Sequence, residues 1–431
     1  MNKWSLFISV GKPSVRSLNR QMMKGYRGFL AGILSAFLIM PDLLLAQDKD
    51  STGRFQIWQR HTIDDSSLGA DGTKFADVNK DGQMDLISGW EEGGVSRIYL
   101  HPKNPKEKWP YIELPSPDVE DAFVADLNND GYMDLITLSE GAHQRVTVHW
   151  APNNAEDYLR AENWISKDVP VTIGKTKWMF GRALDVDGEN GLDLIIGSKN
   201  PTGTLGWLKI PEDPMQMVDW EFNKISDAGW IMSIEILDMN NDGEQDLVIT
   251  DRKGELRGLR WLENPGKGAL SREWKNHLIG GSEGEPMFMD YFENGKGSAE
   301  IDFIVPDLAT GWEYFIKKKG EWTSEIIPFP GMAGRRGKSV IADDINQDGQ
   351  LDLIASFEGA LDRSGLIALM NFQSKNPYVM DISGKEGVKY DFILIKDIDG
   401  DGDLDVITSE ETAADGSKKG LGVVWYENPI K

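Results

Sequence analysis

Short apolar runs punctuate this chain about every fifty residues, each entered through a polar, glycine-bearing loop. Leu86–Ser88, Leu135–Thr137, Leu194–Gly197, Leu247–Thr250 and Leu353–Ala355 are such runs. They are too short for helices and rich in Ile and Val, so they read as buried strands. A further strand follows each run: Val95–Leu100, Arg145–Trp150, Leu256–Trp261 and Gly422–Tyr426 are the clearest. Several end in a proline turn, as in Leu262–Pro265 and Tyr426–Pro429. The next strand is marked by a tryptophan, at Trp109, Trp164, Trp220, Trp274 and Trp322. With the strand that leads into each polar loop, the repeating unit holds four short strands. Such units joined by tight turns predict an all-β, seven-bladed β-propeller over residues 54–431.

After Trp425 and Tyr426 the repeat stops one strand short of a blade. Phe55–Ile63 repeats the pattern of Trp274–Ile279, so this N-terminal strand is expected to close the last blade and remove an open edge.

The polar loops share a spelling. Asp77, Asn79, Asp81, Gly82 and Asp85 recur as Asp126, Asn128, Asp130, Gly131 and Asp134, and as Asp238, Asn240, Asp242, Gly243 and Asp246. They recur again as Asp344, Asn346, Asp348, Gly349 and Asp352, and as Asp397, Asp399, Asp401, Gly402 and Asp405. A sixth loop, Asp185, Asp187, Glu189 and Asp193, keeps its oxygens and moves its glycine to Gly191. A seventh, from Asp290 to Asp302, is degenerate and is expected to hold no metal. Hard oxygens at relative positions 1, 3, 5 and 9 around a glycine turn suit Ca²⁺, which takes six to eight such ligands. An EF-hand would need a Glu at position 12 and flanking helices. Here the flanks are strand-like. About five or six structural Ca²⁺ sites are therefore expected.

The formal net charge is −24, with 70 acids against 46 Lys and Arg. Many of these acids belong to the loops, and the balance argues against a nucleic-acid partner. There are no cysteines, which excludes disulfides and thiolate metal sites. Residues 1–46 read as a signal peptide, with Lys24 and Arg27 before the apolar stretch Phe29–Met40, and Met23 as an alternative start. Residues 47–53 read as a short linker. A secreted or periplasmic protein without a stable membrane span after signal removal, and a monomer, is expected.

At the Asp loops the chain resembles the FG-GAP/VCBS repeat family of calcium-loop propellers, from about residue 54 to residue 431. The resemblance implies fold and calcium and is nearly silent on activity.

Propeller geometry places the Asp loops on one face and the blade-entry loops on the other. On that second face, Gly174–Arg182 and Gly334–Lys338 concentrate cations. Lys177, Trp178, Arg336, Lys338, Trp230 and Arg252 are candidates for holding an anionic saccharide: Lys and Arg for its charge, indoles for its apolar ring face. His61 and His277 are repeat-equivalent, and His101 and His149 both end third strands, so these four read as architectural. His143 has no counterpart and is the candidate acid/base group. In blade number and residue type the chain is similar to secreted seven-bladed polysaccharide lyases. That likeness implies β-elimination on a uronate-containing polymer such as ulvan, by a lyase or a dehydratase. Arg182 or Arg335 would neutralise the carboxylate, and His143 or Tyr390 would remove the proton. The rival reading is a non-catalytic propeller that binds a glycan or a protein.

Overall fold

The computed structural model describes residues 57–293 and 301–430. The proposed signal and linker lie outside the described residues. Seven four-stranded antiparallel sheets follow one another along the chain as the blades of a propeller. Their inner strands are Ala70–Ala76, Val119–Ala125, Lys177–Leu184, Ile231–Leu237, Asp290–Glu293, Arg336–Asp343 and Tyr390–Lys396. The second strands are buried along nearly their whole length, as in Asp134–Ser139 and Asp352–Glu358. That burial on both faces explains why they appear in the sequence as continuous apolar runs rather than alternating ones.

Gln59–Asp64 pairs antiparallel with Gly422–Glu427, so the seventh blade is built from both ends of the described chain. Trp58 packs into the core of that closure with Tyr426 and Ile382. The tryptophans of the repeat sit just before or within the outer strands. Trp109, Trp164 and Trp220 are nearly fully buried, and each indole N–H donates to a backbone carbonyl in the preceding turn.

The architectural histidines are placed in pairs. His61 stacks on Trp425 at 4.3 Å and bonds Glu427, and His277 stacks on Trp261 at 4.1 Å and bonds Glu263. His101 packs edge-on against Trp109. His149 is buried between Thr137 and Ser166, and burial holds its imidazole down to about 4.

Among the described residues, no helix is long and apolar enough to cross a membrane.

Candidate functional site

Two regions concentrate chemistry, and they lie at opposite ends of the inner strands.

At the exit end are the Asp loops. In the first, the Asp77 carboxylate accepts the N–H of Asp81 and of Gly82, both at 3.0 Å. Asn79 Oδ1 accepts the Asp81 N–H, and Asp81 Oδ1 accepts the Gln83 N–H. The same bonds recur around Asp126, Asp238 and Asp344. The turn needs two left-handed residues. Lys80, Asn129, Asn241 and Gln347 take φ near 60°, and Gly82, Gly131, Gly243 and Gly349 follow at 85–93°. This winding gathers the side-chain oxygens inside the loop. Carboxylate oxygens of Asp397, Asp399 and Asp405 lie within 4.8 Å of one another, as do those of Asp185, Asp187 and Asp193. An all-oxygen set of this kind fits Ca²⁺.

The ninth residue has a second task. Asp85, Asp134, Asp193, Asp246, Asp352 and Asp405 are each almost wholly buried. One oxygen accepts the N–H of the loop's second residue, and the other accepts an N–H just past the third strand. For Asp134 these donors are Leu127 at 3.1 Å and Ala151 at 2.9 Å. Burial pushes these carboxyls up to about 6 or 7, despite the backbone bonds. The Asp185 loop differs again. Asn190 takes the left-handed turn that glycine takes elsewhere. Lys209 reaches Asp187 and Glu189 at 2.6 and 2.8 Å, and Lys267 reaches Asp185 at 3.2 Å, so this loop carries cations of its own. Most of the degenerate loop between Asp290 and Asp302 lies outside the described residues.

At the entry end the inner strands surround an axial cavity of about 400 Å³. A regular rule builds its wall. In six blades the residue six places before the first Asp of the loop lines the cavity: Asp71, Glu120, Met179, Met232, Lys338 and Asp391. Each of these inner strands slips register beside that point, between Asp71 and Thr73 in blade 1 and at matching places in the others. The bulge turns residues toward the axis that strict alternation would bury in the sheet. The result has two sides. Blades 6, 7, 1 and 2 supply Lys338, Asp391, Asp71 and Glu120. Blades 3, 4 and 5 supply Met179, Met232 and Phe288. Phe288 meets Phe180 at 5.2 Å and Phe392 at 5.3 Å, edge to face.

The charged side is densely paired. Lys338 Nζ lies 3.1 Å from Glu358 and 3.0 Å from Asp391. Lys199 contacts Glu120 at 3.2 Å and also Glu140. Oxygens of Glu91, Glu120 and Glu140 lie within 4.8 Å of one another, but the Lys199 ammonium is paired with two of the three. Three places before their loops, Lys74, Arg182 and Glu235 form a second tier. Lys74 pairs with Asp121, and Arg182 lies 3.5 Å from Glu235. Burial, aided by Arg182, pulls Lys74 down to about 8 even though Asp121 opposes it. Burial raises Glu120 to about 8 against the pull of Lys199. Asp71 is driven well up by burial and by the neighbouring Asp391 and Glu120. Asp391 resists its own burial because Lys338 and Lys389 hold it charged.

Of the residues expected from sequence to form a site, Arg182, Trp230, Arg252, Arg336 and Lys338 line this cavity. The others do not. Trp178 is 1 % exposed in the blade core, its N–H bonded to Thr172 O. Lys177 and Trp178 belong to an inner strand, not to an entry loop. Tyr390 is fully buried, its hydroxyl shared with Tyr426 and Glu386 O, and burial pushes its phenol up, so it does not serve as a base. Arg335 is exposed just outside the wall. His143 sits 40 % exposed on its loop, its Nδ1 2.8 Å from Asp118, away from the cavity lining. Trp230 is flanked by Lys199 and Arg252 at 4.5 Å each and Lys253 at 5.1 Å, so cations occupy the surroundings expected for a sugar ring. The charged residues of the inner strands that line the cavity and were missed from sequence are Asp71, Lys74, Glu120, Asp121, Glu235 and Asp391, and the apolar Met179, Met232 and Phe288 were missed as well. Counting back three and six places from each loop finds most of them.

Residues 77–137 match the family model of the FG-GAP-like repeat. No protein of curated function matches the chain. Among solved structures, the chain is similar to BBS1N in a complex with ARL6DN soaked with lead, at 12 % identity and a TM-score of 0.50, over 87 % of this chain and 98 % of that one. It is similar to the Dos1 propeller at 9 % identity and a TM-score of 0.47, over 84 % and 78 %. These likenesses concern fold alone. The chain is a seven-bladed β-propeller carrying an FG-GAP-like repeat.

Proposed function

We propose that this propeller binds a carboxylate-bearing saccharide in its axial cavity, after export, with calcium in the Asp loops bracing the opposite face. The observation that carries the reading is the two-sided cavity itself. It holds Arg182, Arg252 and Arg336, each paired with a wall or rim carboxylate (Glu235, Glu285 and Glu358) that an anionic ligand would share or displace, and Met179, Met232 and Phe288 for an apolar ring face. Its volume lies within the usual range of about 300–1,000 Å³ for small-molecule sites. Thr73 lies beside the wall, 2 % exposed, its hydroxyl buried and without a hydrogen-bond partner among the described residues. When bound, Ca²⁺ would neutralise the crowded carboxylates of Asp77, Asp126, Asp238, Asp344, Asp397 and their loop partners, and would fix the turns.

Calorimetric titration with uronate oligosaccharides tests the reading. Binding that weakens by about tenfold in Arg182→Met or Arg252→Met supports it, since a hydrogen bond to a charged group contributes about 1.5–3 kcal/mol. Absence of heat across uronate and neutral panels would remove it.

One observation favours a second reading, β-elimination. Lys74, held down to about 8, stands in the same tier as Arg182, so an amine able to accept a proton adjoins a group able to neutralise a carboxylate. Ultraviolet absorbance of an unsaturated uronate product separates elimination from binding.

A further inference from the structure

The Asp loops are not filled alike. In the loops that open at Asp77, Asp126, Asp238 and Asp344, no Lys or Arg among the described residues pairs with the carboxylates at positions 1 and 5. The Asp185 loop is filled by ammonium groups. Lys209 Nζ stands between Asp187 Oδ2 at 2.6 Å and Glu189 Oε2 at 2.8 Å. Lys267 Nζ, from the turn after the third strand of the next blade, lies 3.2 Å from Asp185 Oδ2. The last acid, Asp193, accepts the N–H of Val186 on one oxygen and that of Ile210 on the other. Every acid of this loop therefore has a partner within the protein.

The repeat shows how both lysines enter. Lys209 directly precedes the residue whose N–H reaches the ninth Asp. The equivalent residues are Leu100, Trp150, Glu263, Met370 and Glu427, so blade 3 alone among these six places a cation there. Lys267 enters because position 4 is Gly188: a Cβ there would lie 2.9 Å from the lysine Cδ. In the four regular loops that position carries a side chain, from Lys80, Asn129, Asn241 or Gln347. The winding differs as well. Asp77 accepts the N–H of positions 5 and 6, whereas Asp185 accepts that of Gly188 at position 4.

We propose that the Asp185 loop is a lysine-filled site, in which Lys209 stands where calcium stands in the other loops and Lys267 ties the loop to blade 4, so that this loop takes no calcium. The inference rests on the calcium reading of the other loops. There a divalent ion relieves carboxylates that face one another without a counter-charge. Here Lys209 and Lys267 already answer Asp185, Asp187 and Glu189, so calcium would have to expel an ammonium before it could bind. An ammonium needs no shell of six to eight oxygens, because its three donors sit on a flexible stem. Asp187 holds Lys209 in place. Its side chain is 7 % exposed, and its Oδ2 has no hydrogen-bond partner other than that ion pair. The Asp397 loop marks the contrast. Lys106 Nζ lies 3.3 Å from Asp399 but closer to Glu427, at 2.9 Å, and Asp397, Asp401 and Asp403 have no cation beside them among the described residues. Blade 3, which carries Arg182 into the cavity, thus keeps its loop braced when calcium is scarce.

Equilibrium dialysis of the full chain against radioactive calcium counts the bound ions. Asp185→Ala should leave the count unchanged, whereas Asp238→Ala should lower it by one. Lys209→Met combined with Lys267→Met should add one ion. In chelator, Lys209→Met alone should melt below the parent, because Asp187 Oδ2 is left buried without a partner, and calcium should raise this variant by more than it raises the parent. The alanine pair still decides the matter if the double methionine variant fails to fold. Loss of one ion in Asp185→Ala overturns the inference and leaves the calcium reading of the loops standing. A folded double methionine variant that gains no ion overturns the role of the lysines. A Lys209→Met chain that melts with the parent in chelator overturns the bracing of blade 3. A parent chain that binds no calcium removes the calcium reading and this inference together.

Discussion

Asp134→Ala separates the two tasks of the ninth loop residue. In the parent, Asp134 is 0 % exposed and accepts two backbone N–H groups, from Leu127 at 3.1 Å and Ala151 at 2.9 Å. These bonds tie the loop to the end of the third strand, 17 residues away in sequence from Asp134. Alanine leaves the buried Leu127 N–H without an acceptor and the part-buried Ala151 N–H to water. At about 1–3 kcal/mol for an orphaned buried group, the expected loss is about 1–3 kcal/mol. Asp134→Asn keeps one carbonyl oxygen and should lose about half as much. The loss needs no metal, so it should appear in chelator as well as in calcium. Asp126→Ala is the contrast. Its carboxylate accepts the exposed N–H of Asp130 and the half-buried N–H of Gly131, which water can satisfy in its place. It should match the parent in chelator and fall behind only when calcium is present. Urea unfolding of the three variants, each with and without chelator, reads both effects. If Asp134→Ala is as stable as the parent in chelator, the buried bonds do not contribute as argued.

Exhaustive chelation should lower the parent's melting temperature and added calcium should restore it, because a site held at a hundredfold excess over its Kd contributes about 2.7 kcal/mol; an unchanged melting curve would contradict the calcium assignment. Removing residues 57–64 strips the partner from Gly422–Glu427 and leaves an open edge, so the shortened chain should aggregate or unfold without cooperativity, as read by size-exclusion chromatography and calorimetry. His149 is neutral in the fold, held at about 4 against an ordinary 6.5. The unfolded chain therefore binds the extra proton: stability is full above about 6.5 and falls by up to about 3 kcal/mol as the pH drops toward 4, and His149→Gln should flatten that part of the urea profile. Ala at His61 or His277 should remove a stacked ring and a hydrogen bond to Glu427 or Glu263, lowering the melting temperature without changing saccharide binding.

Blade number, the order of strands and the joining of Gln59–Asp64 to the last blade were legible in the sequence because each leaves a local mark. The apolar runs come from burial on both faces, Trp109, Trp164 and Trp220 from the turns that their indoles cap, and the glycines of the Asp77, Asp126, Asp238 and Asp344 loops from a left-handed turn. The repeat-equivalent histidines were legible for the same reason. The cavity was not. Its lining is set by a bulge in each inner strand, and a bulge leaves no composition signal. Trp178 and Arg182 stand four residues apart, yet the register slip between Trp178 and Phe180 separates a core residue from a cavity residue. Tyr390 lies beside Asp391 in sequence and is fully buried, while Asp391 lines the cavity. Clusters of cations along the chain also misled. Arg335 and Arg336 are neighbours, and only Arg336 lines the wall, paired with Glu358 at 3.0 Å. Position relative to the Asp loop is the better guide, because the loop fixes where each inner strand ends.

The proposed seat of the saccharide is the axial cavity. The most direct measurement is a crystal structure of the calcium-loaded chain soaked with a uronate oligosaccharide that binds in calorimetry. Density is expected for a sugar ring between Met232 and Phe288 on one side and Asp71, Glu120 and Asp391 on the other, with its carboxylate on Arg182 or Arg252. A ligand seated on the Asp-loop face, or on the His143 loop with the cavity holding only water, would contradict it.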